Sequence, residues 1–508
     1  MKKQISRGVV LSFISQAISI VVGLVYMPMM IDLLGQSEYG LYQLVQSVVN
    51  YLNLMNFGFS GAYIRFFSLA KARNDEEEIA NLNGMFLRVF LLISLLCMAA
   101  GTVLYARIDI LGTQLTAEDY VIAKKLLIIM VLNLAVSFPS SLFTVYMSAN
   151  ERFVFYHSVN IAVNVLTPLM TLPLLWLGRG SVGVVSVALL LTVLRLAANL
   201  WFCVGRLGMR MNVRYFDRRI FSGLLGFTFF IFLSDMVDQL NTNVDKFLLG
   251  RIVGTVSVAV YSVGFNLCNY YKIVSWVIPE MFIPEANRLA IEERDDRKLT
   301  ALFTRIGRYN NYILMLVATG FFLVGRPFIR LWVHEGYEMS YYVGLILIIA
   351  SYIPSVQTLG VNIQNAKNMH RMRSVVYFVV ACVNVAASVF LIRRWGVVGT
   401  SLGTLFAVLL GTGVFMNIYY HRKVGLNVLV FWKDILRWTV PACALCAVAW
   451  LLTRHLEITS WGGLALYAAA YSAVYAGLLW LVGMKREDKD MLRALLQRRR
   501  GNKAEGEG

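Results

Sequence analysis

Apolar residues in this chain come in long, nearly unbroken runs separated by short polar stretches, without the alternation of a strand. A helix needs about 20 apolar residues to cross a hydrocarbon core about 30 Å thick. Runs of that length lie near 8–31, 40–62, 84–105, 121–147, 153–177, 182–204, 220–243, 256–283, 309–331, 340–362, 374–393, 397–420, 434–452 and 461–484. The pattern predicts an all-α polytopic membrane protein with about 14 transmembrane helices. Membrane strands would be about 10 residues long and would alternate. The first run is too long for a signal-peptide core and lacks a small-residue cleavage site, so it reads as the first span.

Composition narrows the class. Of 508 residues, 58% are hydrophobic and 15% charged, and the mean hydropathy is +0.64. Soluble domains average roughly 45–50% apolar and about 25% charged, so a soluble enzyme, a disordered chain and a nucleic-acid module are excluded. The net charge of +18 reads through its placement: 34 of the 47 Lys and Arg residues fall on the side of the N-terminus and 11 on the other. That bias predicts both termini in the cytoplasm, with the basic residues drawn to an anionic leaflet of membrane lipids. The tail Gln497-Arg498-Arg499-Arg500 reads as membrane-facing, and no nucleic-acid partner is expected. All six cysteines lie in apolar spans, which implies no disulfide framework. Cys443-x-x-Cys446 has no further Cys or His nearby, so no metal site is expected.

The chain repeats itself. Leu34-Gly35 recurs as Leu249-Gly250, Gly8 as Gly223 and Pro139-Ser140 as Pro354-Ser355, while Gly180-x-x-Gly183 returns as Gly396-x-x-Gly399 one residue further on. A near-constant offset over most of two halves predicts an N-terminal six-helix lobe at 1–215 and a C-terminal one at 216–425. Helices 13 and 14 (426–484) and a basic tail (485–508) follow. Six is even, so the lobes are parallel repeats about an axis along the membrane normal, with a substrate site between them and alternating access by rocking.

Polar residues inside spans turn toward partner helices or a water-filled cavity. Span 2 sets Gln43, Gln46, Ser47, Asn50 and Asn53 on one face, and span 8 does the same with Asn266, Asn269, Lys272, Trp276 and Glu280. The two faces are repeat-equivalent. Span 1 adds Ser12, Ser15, Gln16 and Ser19; span 7 adds Asp235, Asp238, Asn241, Thr242 and Asp245. Spans 1, 2, 7 and 8 are therefore expected to line a shared cavity, the alternative being hydrogen-bonded glue between helices. A mid-membrane charge costs roughly 2.5–3.5 kcal/mol, which favours function for the charged members, although a buried structural ion pair remains open. On the functional reading Lys272, helped by Arg65 at the inner end of span 2, binds an anion. Asp235, Asp238 and Glu280 bind a coupling ion, H+ or Na+. Arg195 has no acidic residue within a turn and can snorkel.

Phosphate-loop, His-Glu-x-x-His and Gly-x-Ser-x-Gly motifs are missing, and the longest outward loop, near 106–120, is too short for a catalytic domain. The chain is therefore expected to be no enzyme and to need no cofactor, with any energy drawn from an ion gradient, the membrane potential or consumption of its product.

Gly35-Gln-Ser-Glu-Tyr-Gly-Leu-Tyr42 and Leu391-Ile-Arg-Arg-Trp-Gly-Val-Val-Gly-Thr400 resemble turns of the bacterial polysaccharide flippases. These are the lipid-linked oligosaccharide translocases of the multidrug/oligosaccharidyl-lipid/polysaccharide exporter superfamily. The resemblance covers almost the whole chain. It implies a flippase that turns undecaprenyl-pyrophosphate-linked repeat units from the inner to the outer leaflet of the bacterial plasma membrane for O-antigen, capsule or exopolysaccharide, alongside other polysaccharide-assembly proteins. On that resemblance the pyrophosphate would meet Lys272 or Arg65, and helices 13 and 14 would offer a groove to the lipid tail. Family cavities are strongly cationic, whereas span 7 here is acidic. The rival readings are a cation-coupled multidrug exporter of the same superfamily, which usually has twelve helices; a membrane polymerase or ligase, which needs a large outward loop; and a scaffold, which needs no repeat-matched polar faces.

Overall fold

In the computed structural model the backbone is described for residues 2–112, 115–215, 217–293, 295–367 and 369–490. Side chains are described for the same residues apart from 2–10, 13, 219–227, 229–231, 233, 234, 238, 370 and 371. The stretch 491–508, with its basic run, and the Asp238 side chain lie outside the described residues.

Among the described residues every regular element is a helix. In chain order these are α1 (Lys2–Leu52), α2 (Phe59–Ala72), α3 (Glu76–Ala106), α4 (Ala117–Ala149), α5 (Phe153–Trp176), α6 (Gly180–Leu200), α7 (Arg218–Ile252) and α8 (Thr255–Met281). Then come α9 (Ile283–Arg288), α10 (Asp296–Val333), α11 (Glu338–Val356), α12 (Thr358–Ala366), α13 (His370–Val408), α14 (Met416–Tyr419), α15 (Val428–Thr453) and α16 (Trp461–Leu478). Starts follow from local chemistry. Asp75 caps α3 through the amide of Glu78 at 2.8 Å, Thr116 and Asp119 form a capping box on α4, and Asn427 and Ser460 cap α15 and α16. Each satisfies an amide that the first turn leaves unpaired.

Most of the expected spans are present as single helices. Two long helices each cover parts of two expected spans: α1 breaks at Gly35 (φ 75°, ψ 166°) and α13 at Gly396 (φ 53°, ψ −128°). Both φ values lie in the left-handed region that glycine enters without a Cβ clash. Gly180, the repeat counterpart of Gly396, opens α6 at φ 57°. Pro139 and Pro354 likewise sit inside α4 and α11. Two expectations need correcting: 340–362 is divided at Gln357 between α11 and α12, and 40–62 is not a single helix. Its helix ends at Leu52, a 3-10 turn covers Asn53–Asn56, and left-handed Phe57 and Gly58 precede α2. Asn53 therefore leaves the helical face that holds Gln43, because the 3.6-residue period stops one residue before it.

The helices form two compact units, Met1–Val263 with Tyr377–Thr404, and Gly264–Val376 with Leu405–Gly508. In the first, α3 packs on α4, α4 on α6, and α1 on α5 and α7, around buried rings that include Tyr63, Phe67, Phe86 and Phe90. In the second, α10 is the hub for α11, α15 and α16. Its core joins Tyr312 and Met315 to Trp438, Ala442, Tyr471 and Tyr475. There the Trp438 indole donates to the Tyr475 hydroxyl at 2.6 Å, and that hydroxyl donates to the Tyr312 carbonyl at 2.7 Å. At the end of this core Arg308, 5% exposed, pairs with Asp434 at 2.6 Å and Asp488 at 2.8 Å. Leu91, Leu92, Leu95 and Leu96 stay exposed along α3, the surface a helix offers to lipid.

Candidate functional site

Along α7, Gln239, Asn243 and Lys246 are spaced four and three apart and so share a face. The Asn243 amide donates to Gln239, and its carbonyl oxygen accepts from Asn50 Nδ2 at 3.3 Å. One turn on, Lys246 Nζ donates to Gln43 Oε1 at 3.1 Å, while Gln43 Nε2 donates to the Tyr39 hydroxyl at 3.0 Å. Lys246 is only 8% exposed. Gln43 and Asn50, expected on one face of span 2, thus meet α7 directly.

Asp245 points elsewhere, about 100° round the helix from Lys246. It is fully buried. Oδ2 accepts from the Tyr261 and Thr404 hydroxyls, each at 2.9 Å, and Oδ1 accepts from Ser388 at 3.2 Å. Asn384 turns its carbonyl oxygen into the same cluster, 3.2 Å from both Ser388 and Thr404, and the Thr400 carbonyl lies 3.5 Å from Ser388 and 3.3 Å from Thr404. A hydroxyl carries one proton. Ser388 and Thr404 each face three acceptors, while the Asn384 Nδ2 is buried without a partner. The oxygens here are supplied with positive charge by the Asn384 amide turned the other way, by a proton on the carboxylate, or by a cation, since hard cations take oxygen ligands. One carboxylate among neutral oxygens balances a single positive charge.

Near the Gly35 break, Ser37 and Thr255 share a hydrogen bond of 3.0 Å. Gly40 sits so close to the Thr255 carbonyl that a Cβ there would lie 1.9 Å from its oxygen. Glu38 takes the Ser181 amide and hydroxyl, both at 2.6 Å.

A family model described as "Polysaccharide biosynthesis protein" matches residues 5–279, more than half of the chain. The chain belongs to the polysaccharide biosynthesis protein family. A curated relative, the uncharacterized membrane protein EpsK of Bacillus subtilis (strain 168), is 20% identical over 93% of this chain and 94% of its own length. Among solved structures, the lipid II flippase MurJ in an inward closed conformation is similar with a TM-score of 0.74 at 14% identity, over 93% of this chain and 98% of its own. An inward-facing MATE-family multidrug transporter of the MOP superfamily is similar with a TM-score of 0.61 at 14% identity, over 79% of this chain and 94% of its own. This member of the family is therefore a multi-pass membrane protein with the all-α fold of those transporters.

The other sequence-derived residues are placed as follows. Gln46 is half-buried on α1, Asn53 is exposed at the 3-10 turn, and Arg65 is exposed on α2. Asn266 and Asn269 are half-buried on α8, with Lys272, Trp276 and Glu280 exposed along the same helix in the second unit. Lys272 Nζ lies 5.9 Å over the Phe265 ring. Asp235 is exposed on α7. Lys246 was not singled out from the sequence: with span 7 ending at 243 it counts as a charge of the outward loop, but α7 runs on to Ile252 and buries it. Asp245 entered only as one member of a polar stripe. The signal available was its step onto a different face from Gln239 and Asn243.

Proposed function

We propose that the protein is a flippase that moves undecaprenyl-pyrophosphate-linked oligosaccharide repeat units from the inner to the outer leaflet of the bacterial plasma membrane, both termini cytoplasmic, by alternating access of two six-helix lobes. The observation that carries this reading is the family match over residues 5–279, on a fold that also includes α15 and α16. Amides and rings on α1 and α8 suit sugar hydroxyls, and Lys272 or Arg65 suits the pyrophosphate. The coupling site in this reading is Asp245, taking a proton or one monovalent cation with oxygens from Asn384, Ser388, Thr400 and Thr404. Asp235, Asp238 and Glu280 would serve the same transfer elsewhere along α7 and α8. A multidrug exporter is the second reading, favoured by the acidic character of α7. It leaves the last two helices without a role.

The test is leaflet-resolved detection of lipid-linked oligosaccharide in cells lacking the protein. Repeat units trapped on the cytoplasmic side, with surface polysaccharide lost, are the expected result and give the sugar by mass. An unchanged outer-leaflet pool sinks the reading in favour of drug efflux.

A further inference from the structure

Where α10 ends and α11 begins, a cavity of about 470 Å³ opens against the α15–α16 loop, within the usual range for small-ligand sites of about 300–1,000 Å³. Arg326 and Arg330, one turn apart on α10, face it together with Glu338, Tyr342 and Glu457. The guanidinium of Arg326 lies 5.5 Å over the Tyr341 ring and 5.0 Å over Tyr342. Tyr341 is held in place: its hydroxyl donates to the Phe322 carbonyl at 2.9 Å, and its ring fills the space a Cβ at Gly325 would need. Among the described residues, no ion pair joins either arginine to Glu338 or Glu457, although all four line one cavity. His334, also on the wall, is held at φ 62°, ψ −164°, a region almost confined to glycine. Such strain persists where surroundings over-determine it, and it gathers at binding sites.

Two arginines at a helix C-terminus complement its dipole, but that accounts for neither the tyrosine platform nor the two carboxylates on the same wall, of which Glu338 accepts from the Gly336 amide at 3.4 Å. Guanidinium groups donate only and carboxylates accept only. A wall that offers both at separate points, beside an aromatic face, matches a ligand that is donor and acceptor at every hydroxyl and has an apolar ring face. We propose that this cavity is a saccharide-binding subsite at the outward end of the second unit, which holds sugar residues by stacking on Tyr342 and by hydrogen bonds to Arg326, Arg330 and Glu457. Its outward location, and its use for the sugar of a translocated repeat unit, rest on the flippase reading; binding of a sugar does not.

The experiment is saturation-transfer NMR of the detergent-purified full chain with hexose, deoxyhexose and N-acetylhexosamine disaccharides, against inorganic pyrophosphate as the anionic probe. At least one disaccharide should bind, with affinity falling more than about tenfold in both Arg326→Ala and Glu457→Gln, while pyrophosphate does not compete. Undiminished sugar binding in both variants, absence of any sugar binding to the parent chain, or displacement of the sugar by pyrophosphate would each overturn the proposal. Parent-like melting of Glu457→Gln, which removes charge but little volume, shows that a loss reflects the site. Arg326-dependent sugar binding alongside a normal outer-leaflet pool in deletion cells would remove the flippase reading and leave the subsite standing.

Discussion

Ser37, just before expected span 2, and Thr255, just before expected span 8, stand 218 residues apart and share a hydrogen bond of 3.0 Å. With Gly40 packed on the Thr255 backbone, the segment after the Gly35 break is held against the start of α8. If transport needs this contact to open, Ser37→Cys with Thr255→Cys, in a chain whose six native cysteines are replaced, should cross-link under mild oxidant. Transport should stop and return on reduction. Full transport by the cross-linked protein would show that the contact stays closed throughout the cycle.

Asp245 is buried in a cluster of hydroxyl and carbonyl oxygens. Asp245→Asn removes the charge while keeping the volume, and should abolish the dependence of transport on a proton or sodium gradient. Thr404→Val, which deletes one hydrogen bond to an ionised group worth about 1.5–3 kcal/mol, should weaken apparent cation affinity by roughly tenfold or more. Unchanged gradient dependence in Asp245→Asn would make the cluster a structural one.

Lys272 is exposed on α8 with an aromatic ring beneath it. Lys272→Ala should reduce transport of the lipid-linked substrate with expression and melting intact. Transport at the parent rate would take Lys272 out of the substrate path.

Arg308 holds two carboxylates in a dry setting, with the Tyr309 hydroxyl donating to Asp488 at 3.0 Å. Breaking a buried ion pair by removing one partner costs about 3–5 kcal/mol. Asp488→Ala should therefore lower the melting temperature of the purified protein far more than Asp295→Ala does. Equal shifts would mean that Arg308 is compensated by other groups.

Asp295 caps α10 in a solvent-exposed turn. The amides of Lys298 and Arg297, each 3.0 Å from Oδ1, hold its carboxyl below the ordinary value, the Lys298 amide contributing most. A depressed carboxyl stabilises the fold above its unfolded pKa and loses that contribution as pH falls through the folded one. Amide exchange across 296–299, corrected for intrinsic rate, should accelerate as pH drops below about 4. The Asp295→Ala chain should show that faster exchange at neutral pH already.

The span pattern was legible because hydrocarbon imposes one rule on every segment; the repeat offset marked Gly35 and Gly396 but not the breaks at them, since Gly250, the counterpart of Gly35, lies inside α7. What the run lengths could not reveal was Asn53 leaving its helix, since a 3-10 turn followed by two left-handed residues has no apolar signature. Gln43 and Asn50 were found by face, but their partners Lys246 and Asn243 lie some 200 residues away. Asp245 illustrates the limit most clearly. Its oxygen cluster is assembled from Tyr261, Asn384, Ser388 and Thr404, and none of these is conspicuous within an apolar run. Asp235 and Asp238 drew attention by standing nearer the middle of span 7, yet depth along a helix says nothing about how many oxygens gather round a carboxylate.

The Arg308–Asp488 pair also ties the segment after the last span to the second unit. Residues 486–490 are helical and Asp488 is 1% exposed, so the chain stays committed to the second unit beyond the end of its last span. Shortening the protein to residue 490 leaves every described contact of Arg308 in place, whereas shortening it to 484 strips that cation of one of its two counter-charges. The six residues between those two cuts thus carry a buried counter-charge that belongs to the second unit as much as any span does.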